Sequence, residues 1–425
     1  NGGRGFSEAG NRKKSAQGSR SGARPKGYQK TFKTRKKKES DFHFLKFSRS
    51  VHVKFTFDMQ NTWQGGNCMR KLSMMSMAFL LLAGCGGQAA QSTPSSSPAV
   101  TTASSTTEID LSAQKEQLVI SESGTYTLTG STSKGVLVNA KSGDVHLVLN
   151  GVTIENDSSA GLAIIGGDQA LITLAQGTEN KIADGGCDES YDAAVYSTVP
   201  LTFEGSGSLT VTGNNQEGIS TESADLTFNG GSYTVTSADD GIGAGGDGGT
   251  LTFNGGTFHI NAGGDGIDSN GNIVFNDAKI CVIGSSAGGD AGIDADVGFV
   301  INGGDIIALG TDMLETPLET STQYTLALTL DETVQAGSTI SVVAKDGTEI
   351  VSASADQNFR TLLISNAQLT KGSTYRVEID GTAVKANGET DFVITDMITS
   401  YGQNHQPSEG GGQGRPTGEP PMQHK

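Results

Sequence analysis

The chain has 425 residues, of which 60 are glycine and 6% are aromatic, and its formal net charge is −16 at pH 7. The charge is unevenly divided, because residues 1–68 hold 16 Lys or Arg against 4 Asp or Glu, and the other 357 residues hold 14 against 42. This acidic majority, with a net charge of −28, excludes the basic surface that nucleic-acid binding requires, and we expect no nucleic-acid partner.

The N-terminal residues predict a lipoprotein signal rather than a basic arm for nucleic acid, which is the alternative. Residues 69–84 have a short cationic start and an apolar run, and they lead into Leu82-Ala-Gly-Cys85, which resembles the bacterial lipobox. Such a signal must stand at the N-terminus, so we interpret residues 1–68 as untranslated upstream sequence. Lipid on the Cys85 thiol would anchor the protein to the bacterial cell membrane, outside the cytoplasm, without spanning it.

The next segment, residues 85–107, is rich in Ser, Thr, Ala and Pro and predicts a flexible tether. Residues 118–138 predict a first coil or an N-terminal cap of the folded part. The segment of residues 184–196 is longer than the repeat described next allows, so it predicts a loop that bulges from the helix.

A block repeats about every 25 residues between residues 201 and 311. Leu226-Thr-Phe228-Asn-Gly-Gly is followed by Tyr233-Thr-Val235, and Leu251-Thr-Phe253-Asn-Gly-Gly is followed by Phe258-His-Ile260. Each unit contains two or three short alternating strands with glycine-rich corners and no helical periodicity. The pattern predicts an all-β fold in which residues 108–313 form a parallel β-helix.

Stacked coils place equivalent residues in columns about 4.8 Å apart. The apolar pairs of the repeat should point inward. One corner column should contain four asparagines, whose amides could form a ladder and satisfy buried turn groups: Asn229, Asn254, Asn276 and Asn302. The alternative is that Asn-Gly only marks hairpin turns.

Acidic residues also recur in the repeat. Residues 199–313 contain 15 Asp or Glu and one Lys or Arg, which is Lys279. The acids precede a Gly-Ile corner at Glu217, Asp240, Asp265 and Asp290, and they follow it at Asp268 and Asp294. Because the corner Ile should point inward, Asp268 and Asp294 should be outward neighbours on adjacent coils. Such carboxylates suit Ca²⁺, and the alternative is a solvated acidic face that keeps the protein soluble.

The remaining signals concern cysteines, aromatic residues and the C-terminal region. Cys187 and Cys281 should lie beyond disulfide reach of each other, with Cys281 facing outward. Few aromatic residues should face outward, so stacking against sugars is weakly supported. Residues 320–400 show irregularly spaced alternating strands, which predict a small β-sandwich or a cap for the open end of the helix. Residues 401–425 predict a disordered tail.

The Asn-Gly-Gly turns, the corners at Asp240-Gly-Ile, Asp265-Gly-Ile-Asp268 and Gly292-Ile-Asp294, and the lipobox together resemble a bacterial family of carbohydrate-binding β-helix domains. That family is similar to polysaccharide lyases of the pectate type. The resemblance covers residues 109–392 and implies a right-handed parallel β-helix, bound calcium, and binding of plant cell-wall polysaccharide, notably polygalacturonate. By motif its calcium carboxylates correspond to Asp240, Asp265, Asp268, Asp290 and Asp294, and in part to Glu217, because Ser220 replaces the second acid there.

These observations predict a monomeric cell-surface lipoprotein that binds acidic polysaccharide through calcium and has no catalytic residues. One alternative is a lyase that uses Lys279 as the base that abstracts a proton beside the uronate carboxyl group. Lys279 alternates with Ile280 and should face outward on a strand away from Asp268, which favours binding over cleavage. The other alternative is a structural stalk or adhesin in which calcium only stabilises the fold.

Overall fold

The computed structural model describes residues 106–185, 190–246, 248–402 and 406–407. These residues form strands and a single 3₁₀ turn, Leu111–Ala113. The strands up to residue 222 are β1 (Thr106–Asp110), β2 (Leu118–Ile120), β3 (Gly124–Thr132), β4 (Val136–Val138), β5 (Val145–Glu155), β6 (Leu162–Ile164), β7 (Ala170–Leu174), β8 (Glu179–Ala183), β9 (Ala193–Ser197), β10 (Leu201–Gly205), β11 (Ser208–Gly213) and β12 (Glu217–Glu222).

The strands after residue 222 complete the helix and build the C-terminal region. They are β13 (Leu226–Ser237), β14 (Ile242–Gly245), β15 (Leu251–Asn261), β16 (Ile267–Ser269), β17 (Asn272–Phe275), β18 (Lys279–Ile283), β19 (Ile293–Ala295), β20 (Gly298–Ile301), β21 (Asp305–Gly310), β22 (Glu315–Thr316), β23 (Thr325–Val334), β24 (Thr339–Ala344), β25 (Glu349–Ser354), β26 (Phe359–Ser365), β27 (Thr374–Ile379), β28 (Thr382–Ala383), β29 (Phe392–Val393), β30 (Ile398–Tyr401) and β31 (Gln406–Pro407).

Several predicted features lie outside the described residues, namely the upstream segment, the signal, Cys85, the tether before Thr106, Cys187 and most of the tail. Strand β1 begins at Thr106, two residues inside the predicted tether. Gln406–Pro407 pairs in parallel with Glu315–Thr316, so this part of the predicted disordered tail is a short strand. No helix in the described ranges has the length and apolar character needed to cross a membrane.

The strands wind into about seven turns of a parallel β-helix, and the predicted fold is confirmed. Each turn has three faces. Face 1 contains β1, β7, β10, β17, β20 and the first parts of β3, β5, β13 and β15. Face 2 contains β8, β11, β18, β21 and the second parts of the same four long strands. Face 3 is the eight-stranded ladder of β2, β4, β6, β9, β12, β14, β16 and β19.

Aromatic columns fill the interior because the repeat places the same residue type at the same position of each coil. On face 1, Phe228 stacks on the preceding ring at 5.1 Å between centroids and on the following ring at 5.2 Å. On face 2, Tyr233 and Phe258 stack at 4.6 Å, and both pack edge-on against Phe228. Such pairs add about 0.5–1.5 kcal/mol each to the stabilisation from apolar burial.

The predicted asparagine ladder is confirmed. Each amide donates to the amide oxygen of the preceding coil, from Asn254 to Asn229 at 2.9 Å, from Asn276 to Asn254 at 2.8 Å, and from Asn302 to Asn276 at 2.9 Å. The four side chains are exposed, so they do not satisfy buried turn groups as expected. That role belongs to Asn180, whose buried side chain accepts from two backbone N–H groups of an earlier coil.

The corner between faces 2 and 3 requires glycine. Gly241 precedes the inward Ile242, and a Cβ on Gly241 would lie 2.4 Å from the carbonyl oxygen of Gly266 and 2.4 Å from Cγ2 of Ile260. Gly218 and Gly266 show equally short contacts at the same corner of neighbouring coils. The glycine of the Asp-Gly-Ile motif therefore allows the coils to approach each other at this corner.

The predicted loop at residues 184–196 is wrong in its second half. Ala193–Ser197 forms β9, and Val195 occupies the inward column between Leu162 and Ile219. The irregularity lies before this strand, where the Asp184 carboxylate accepts from the backbone N–H groups of Asn214 and Asn215. The ladder of face 3 is continuous through β9, which pairs with β6 and β12.

The C-terminal region is both a cap and a sandwich. β26 pairs antiparallel with β21 on the last coil, and β23 and β30 extend that sheet. The second layer is the antiparallel sheet of β25, β24, β27, β28 and β29, and the two layers enclose a separate apolar core. Ile307 and Leu309 contribute to this core from the outer side of face 2.

Cys281 faces outward as predicted, but the C-terminal region covers it, and its Sγ lies 3.7 Å from the carbonyl oxygen of Ser354.

Candidate functional site

The outer side of face 3 contains one column of side chains that changes character along the helix axis. The column follows from the strand register and consists of Val119, Leu137, Ala163, Tyr196, Ser220, Gly243, Asp268 and Asp294. It is apolar and aromatic at its N-terminal end, has small residues in the middle, and is acidic at its C-terminal end. The two ends of the column therefore differ in the ligand chemistry they can offer.

Three of the predicted metal residues come together at the acidic end. Asp268 and Asp294 are paired across adjacent coils, as predicted, because Ile267 and Ile293 beside them point into the core. Asp265 joins them, and one carboxylate oxygen from each of the three lies within 4.8 Å of the others. All three side chains are half-buried. We call these three residues the acidic cluster.

Backbone hydrogen bonds fix two of the carboxylates that precede the corner. Asp240 Oδ1 accepts from the N–H of Asp265 at 2.7 Å, and Asp265 Oδ1 accepts from the N–H of Ala291. In the next coil Ala291 thus occupies the position that Asp240 and Asp265 hold in theirs. The predicted register is therefore wrong for Asp290. The reason is that Ile293 follows Ile267 by 26 residues, whereas Ile267 follows Ile242 by 25. Asp290 still lies close enough to Asp240 to raise its pKa.

Glu217 begins β12, one coil before Gly243, and its carboxylate approaches the outer column. A Cβ on Gly243 would lie 3.1 Å from Glu217 Oε2, so the missing side chain of Gly243 leaves room for this carboxylate. Burial raises the pKa of Glu217 well above its ordinary value, and the charges of Asp192 and Asp240 raise it further. Glu217 therefore extends the acidic surface toward the N-terminal end of face 3.

Burial makes the negative charges of this site costly. It is the largest cause of a pKa of about 7 for Asp240, about 9 for Asp265 and about 8 for Asp268, and the neighbouring carboxylates add to each shift. None of the ion pairs found among the described residues involves the acidic cluster. A cation placed there would therefore offset both the repulsion and the loss of water.

Glu315 belongs beside the cluster, although the sequence pattern did not identify it. Its Oε2 accepts from the N–H of Ala295 at 3.2 Å, and burial together with the Asp294 charge raises its pKa to about 9. It lies beyond the last complete coil, where the glycine-rich corner motif no longer occurs. The signal that could have found it is the order of Leu314 and Glu315, a buried apolar residue followed by an acid, as in Ile267-Asp268.

The donor atoms of this site fit calcium. Ca²⁺ takes six to eight hard oxygen ligands at about 2.3–2.6 Å, and here the side chains offer carboxylate oxygens only. Asp265, Asp268 and Asp294 supply them from two adjacent coils, with Glu315 next to Asp294.

Lys279 lies where the sequence predicts, away from the acidic cluster. It is in β18 on face 2, whereas Asp268 is in β16 on face 3. Its side chain is 73% exposed, and its Nζ lies 3.9 Å from the carboxylate of Asp305.

Two aromatic side chains occur on the outer side of face 3, in keeping with the expectation that few would face outward. The rings of Tyr191 and Tyr196 lie 5.3 Å apart between centroids, and the Tyr196 hydroxyl donates to Glu222 at 2.7 Å. Tyr191 falls in the irregular segment and Tyr196 on a strand predicted as loop, so the repeat pattern gave neither residue an outward position. This pair makes stacking against a sugar ring physically possible.

Residues 114–391 match the family model described as carbohydrate-binding domain-containing protein. The chain belongs to this family. A relative with the same description, from Acetivibrio thermocellus, is 31% identical over 170 residues, and the match covers 36% of this chain and 59% of the relative. The chain thus spans about three fifths of that relative. A solved structure of a polysaccharide lyase-like protein from C. thermocellum, a gadolinium derivative, shows 27% identity and a TM-score of 0.35, covering 47% of this chain and 92% of the other.

Membership places the chain among proteins described as containing a carbohydrate-binding domain. In this family member, face 3 offers two chemistries that suit sugars. The acidic cluster suits a cation-mediated contact with an anionic sugar, and the tyrosine pair suits a direct contact with a sugar ring.

Proposed function

We propose that this carbohydrate-binding protein binds an acidic plant cell-wall polysaccharide of the polygalacturonate type through calcium on face 3, and that it does not cleave the polymer. The observation that carries the proposal is the acidic cluster, whose carboxylate oxygens lie within 4.8 Å of one another on an outward face. The raised pKa values of Asp265 and Asp268 support it, because desolvated carboxylates gain from a bound cation.

Each residue of the cluster has a role that follows from its position. The backbone N–H of Ala291 holds one oxygen of Asp265, which fixes the orientation of that carboxylate. Asp268 and Asp294 project from adjacent coils toward the polymer side. Calcium held there would supply positive charge and open positions for a uronate carboxylate, which the acidic face alone would repel. The outer side of face 3 runs along the stacked coils, and such an extended surface suits an extended polymer.

The proposal that the polymer is not cleaved is supported by the position of the bases. A lyase of the pectate type needs a Lys or Arg close to the bound uronate. Strands β12, β14, β16 and β19, which surround the acidic cluster on face 3, contain no Lys or Arg. Lys279 is on face 2 beside Asp305.

The binding proposal is tested with Asp268→Asn and Asp294→Asn, using Lys279→Ala as the matched control. In calcium we expect each Asn variant to bind polygalacturonate at least about tenfold more weakly, because a neutral amide loses the charge that retains the cation. The control should bind as the unchanged protein does. Affinity electrophoresis in gels with polygalacturonate measures these differences.

The same proteins decide between binding, cleavage and a structural role. New ultraviolet absorbance from unsaturated uronides, lost in Lys279→Ala, would contradict the proposal and make Lys279 a catalytic base. Calcium-dependent stability without any polygalacturonate binding would instead support a structural stalk.

We also propose that the protein is a monomer held at the cell surface by lipid on Cys85, with cleavage after Gly84. The support is the Leu82-Ala-Gly-Cys85 box behind a cationic start. Cys85→Ala should move the protein from the membrane fraction to the soluble fraction or leave it with an uncleaved signal. Fractionation followed by mass measurement of the N-terminal peptide tests this, and a membrane-bound variant with an unchanged N-terminus would contradict it.

A further inference from the structure

A groove of about 380 Å³ lies at the N-terminal end of face 3. We call it the tyrosine groove, and the residues of its lining that matter here are Glu116, Gln117, Lys134, Leu137, Asp157 and Tyr191. None of the predicted metal residues lines it. Its volume falls within the usual range for small-molecule sites, about 300–1,000 Å³.

The floor of the tyrosine groove is apolar. Tyr191 is half-buried and packs against the cluster that Ala163, Ala193 and Tyr196 form on the outer side of face 3, with Leu137 beside them. Tyr196 supports the Tyr191 ring at 5.3 Å. The ring is therefore held from below and presents apolar surface to the groove. A fixed, partly exposed aromatic ring is the feature that stacks against the C–H face of a sugar.

The rim of the groove offers hydrogen-bonding groups of both kinds. Lys134 Nζ and Asp157 Oδ2 lie 3.1 Å apart, and their side chains are 49% and 69% exposed. The buried Asn156 donates to the carbonyl oxygen of Ala160 at 2.8 Å, and its own oxygen accepts from the N–H of Ser158, which fixes the turn that carries Asp157. A donor and an acceptor at this separation match two adjacent hydroxyl groups of a pyranose ring.

The charges of the groove select against an anionic sugar. The ionisable side chains that line it are two acids, Glu116 and Asp157, and one base, Lys134. Two acids against one base leave the lining net negative, and the groove lacks the clustered carboxylates that would hold a cation. A uronate would be repelled here, whereas a neutral ring meets no such repulsion.

We propose that the tyrosine groove is a second saccharide subsite, which binds a neutral pyranose ring that stacks on Tyr191 while its hydroxyls bond to Lys134 and Asp157. The inference rests on the proposed function for its ligand class, and it adds a calcium-independent contact. Leu137 and Asp268 belong to the same outer column and are five coils apart, which is roughly 24 Å. The two subsites thus lie along one face, and a polymer with neutral and acidic segments could contact both.

The test is titration calorimetry of the purified protein with cellohexaose in the presence of chelator. We expect Tyr191→Ala to weaken binding at least about tenfold and Tyr191→Phe to retain it, because the ring and not the hydroxyl makes the contact. Lys134→Met should weaken binding several-fold. Thermal melts of each variant verify that it is folded. Failure of the unchanged protein to bind cellohexaose, or equal binding by Tyr191→Ala, would overturn the proposal.

A second set of binding measurements distinguishes this subsite from the acidic cluster. The double variant Asp268→Asn with Asp294→Asn should bind cellohexaose normally in chelator, whether or not polygalacturonate binding in calcium is lost. Tyr191→Ala should show the opposite pattern, with polygalacturonate binding preserved. Loss of cellohexaose binding in the double variant, or a requirement for calcium, would place both sugars at one site and would also overturn the proposal.

Discussion

Removing calcium is expected to lower the midpoint of thermal unfolding by about 5–10 °C at pH 8. A ligand at one hundred times its dissociation constant stabilises the folded state by about 2.7 kcal/mol, and 1 kcal/mol shifts the midpoint by about 2–4 °C for a domain of 150–250 residues. The physical source is the acidic cluster, whose desolvated carboxylates repel one another without a cation. Scanning fluorimetry in calcium and in chelator measures the difference.

The same experiment has a pH dependence whose sign follows from the raised pKa values. Asp265 and Asp268 have pKa values of about 9 and about 8 in the folded protein, against an ordinary 3.8, so between these values the folded state binds more protons than the unfolded state. In chelator, stability should therefore be highest near pH 4 and should fall as the pH rises toward 9. Calcium should remove most of this fall, so its effect should be largest at pH 8 and above.

The control for this prediction is Asp277→Asn, which removes an exposed acid at the corner between faces 1 and 2. This variant should keep the full difference between calcium and chelator, whereas Asp268→Asn should lose most of it. Equal midpoints in calcium and in chelator at pH 8, for the unchanged protein, would contradict the calcium proposal.

Gly241→Ala is expected to destabilise the β-helix by about 3 kcal/mol. The added methyl group would lie 2.4 Å from the carbonyl oxygen of Gly266 and 2.4 Å from Cγ2 of Ile260, so the coils would have to separate or shift. Overpacking in a filled core typically costs 1–3 kcal/mol, and contact with backbone atoms leaves little room for relaxation. Urea unfolding followed by circular dichroism measures the loss.

Gly245→Ala on the same coil is the matched control. A Cβ there would lie 3.7 Å from Oδ1 of Asn270 and 3.9 Å from the carbonyl oxygen of Thr221, which are ordinary contacts. We expect a change of no more than about 0.5 kcal/mol. Equal effects of the two substitutions would show that backbone freedom, and not the approach of the coils, explains glycine at this corner.

The parts of the fold that depend on equal spacing could be predicted from the sequence. A repeat near 25 residues places Asn229 and Asn254 in one ladder, and it makes Asp268 and Asp294 neighbours. Where a coil gains residues, spacing no longer gives the register. One additional residue before Ile293 moves Asp290 out of the column, and additional residues before Ala193 made β9 look like a loop.

The site residues that the sequence did not predict also lie where the regular spacing of the repeat fails. Glu315 follows the last complete coil, so the spacing of the repeat does not place it beside Asp294. Tyr191 and Tyr196 come from the coil with the longest insertion, where the repeat could not assign inward or outward positions. A sequence repeat therefore predicts the acids that lie within it, but not the residues that complete a binding surface from outside it.

The stacked coils also determine how such a surface could change during evolution. Each coil joins its neighbours through the same backbone ladder, and the later coils add ring stacking and hydrogen bonds between asparagine amides. Duplication of one coil between Tyr196 and Asp268 would lengthen face 3 by a fixed step of about 4.8 Å and leave both ends intact. The distance between the tyrosine groove and the acidic cluster can therefore vary only in whole coils, so the number of coils sets the spacing of the sugars that one polymer can present to both.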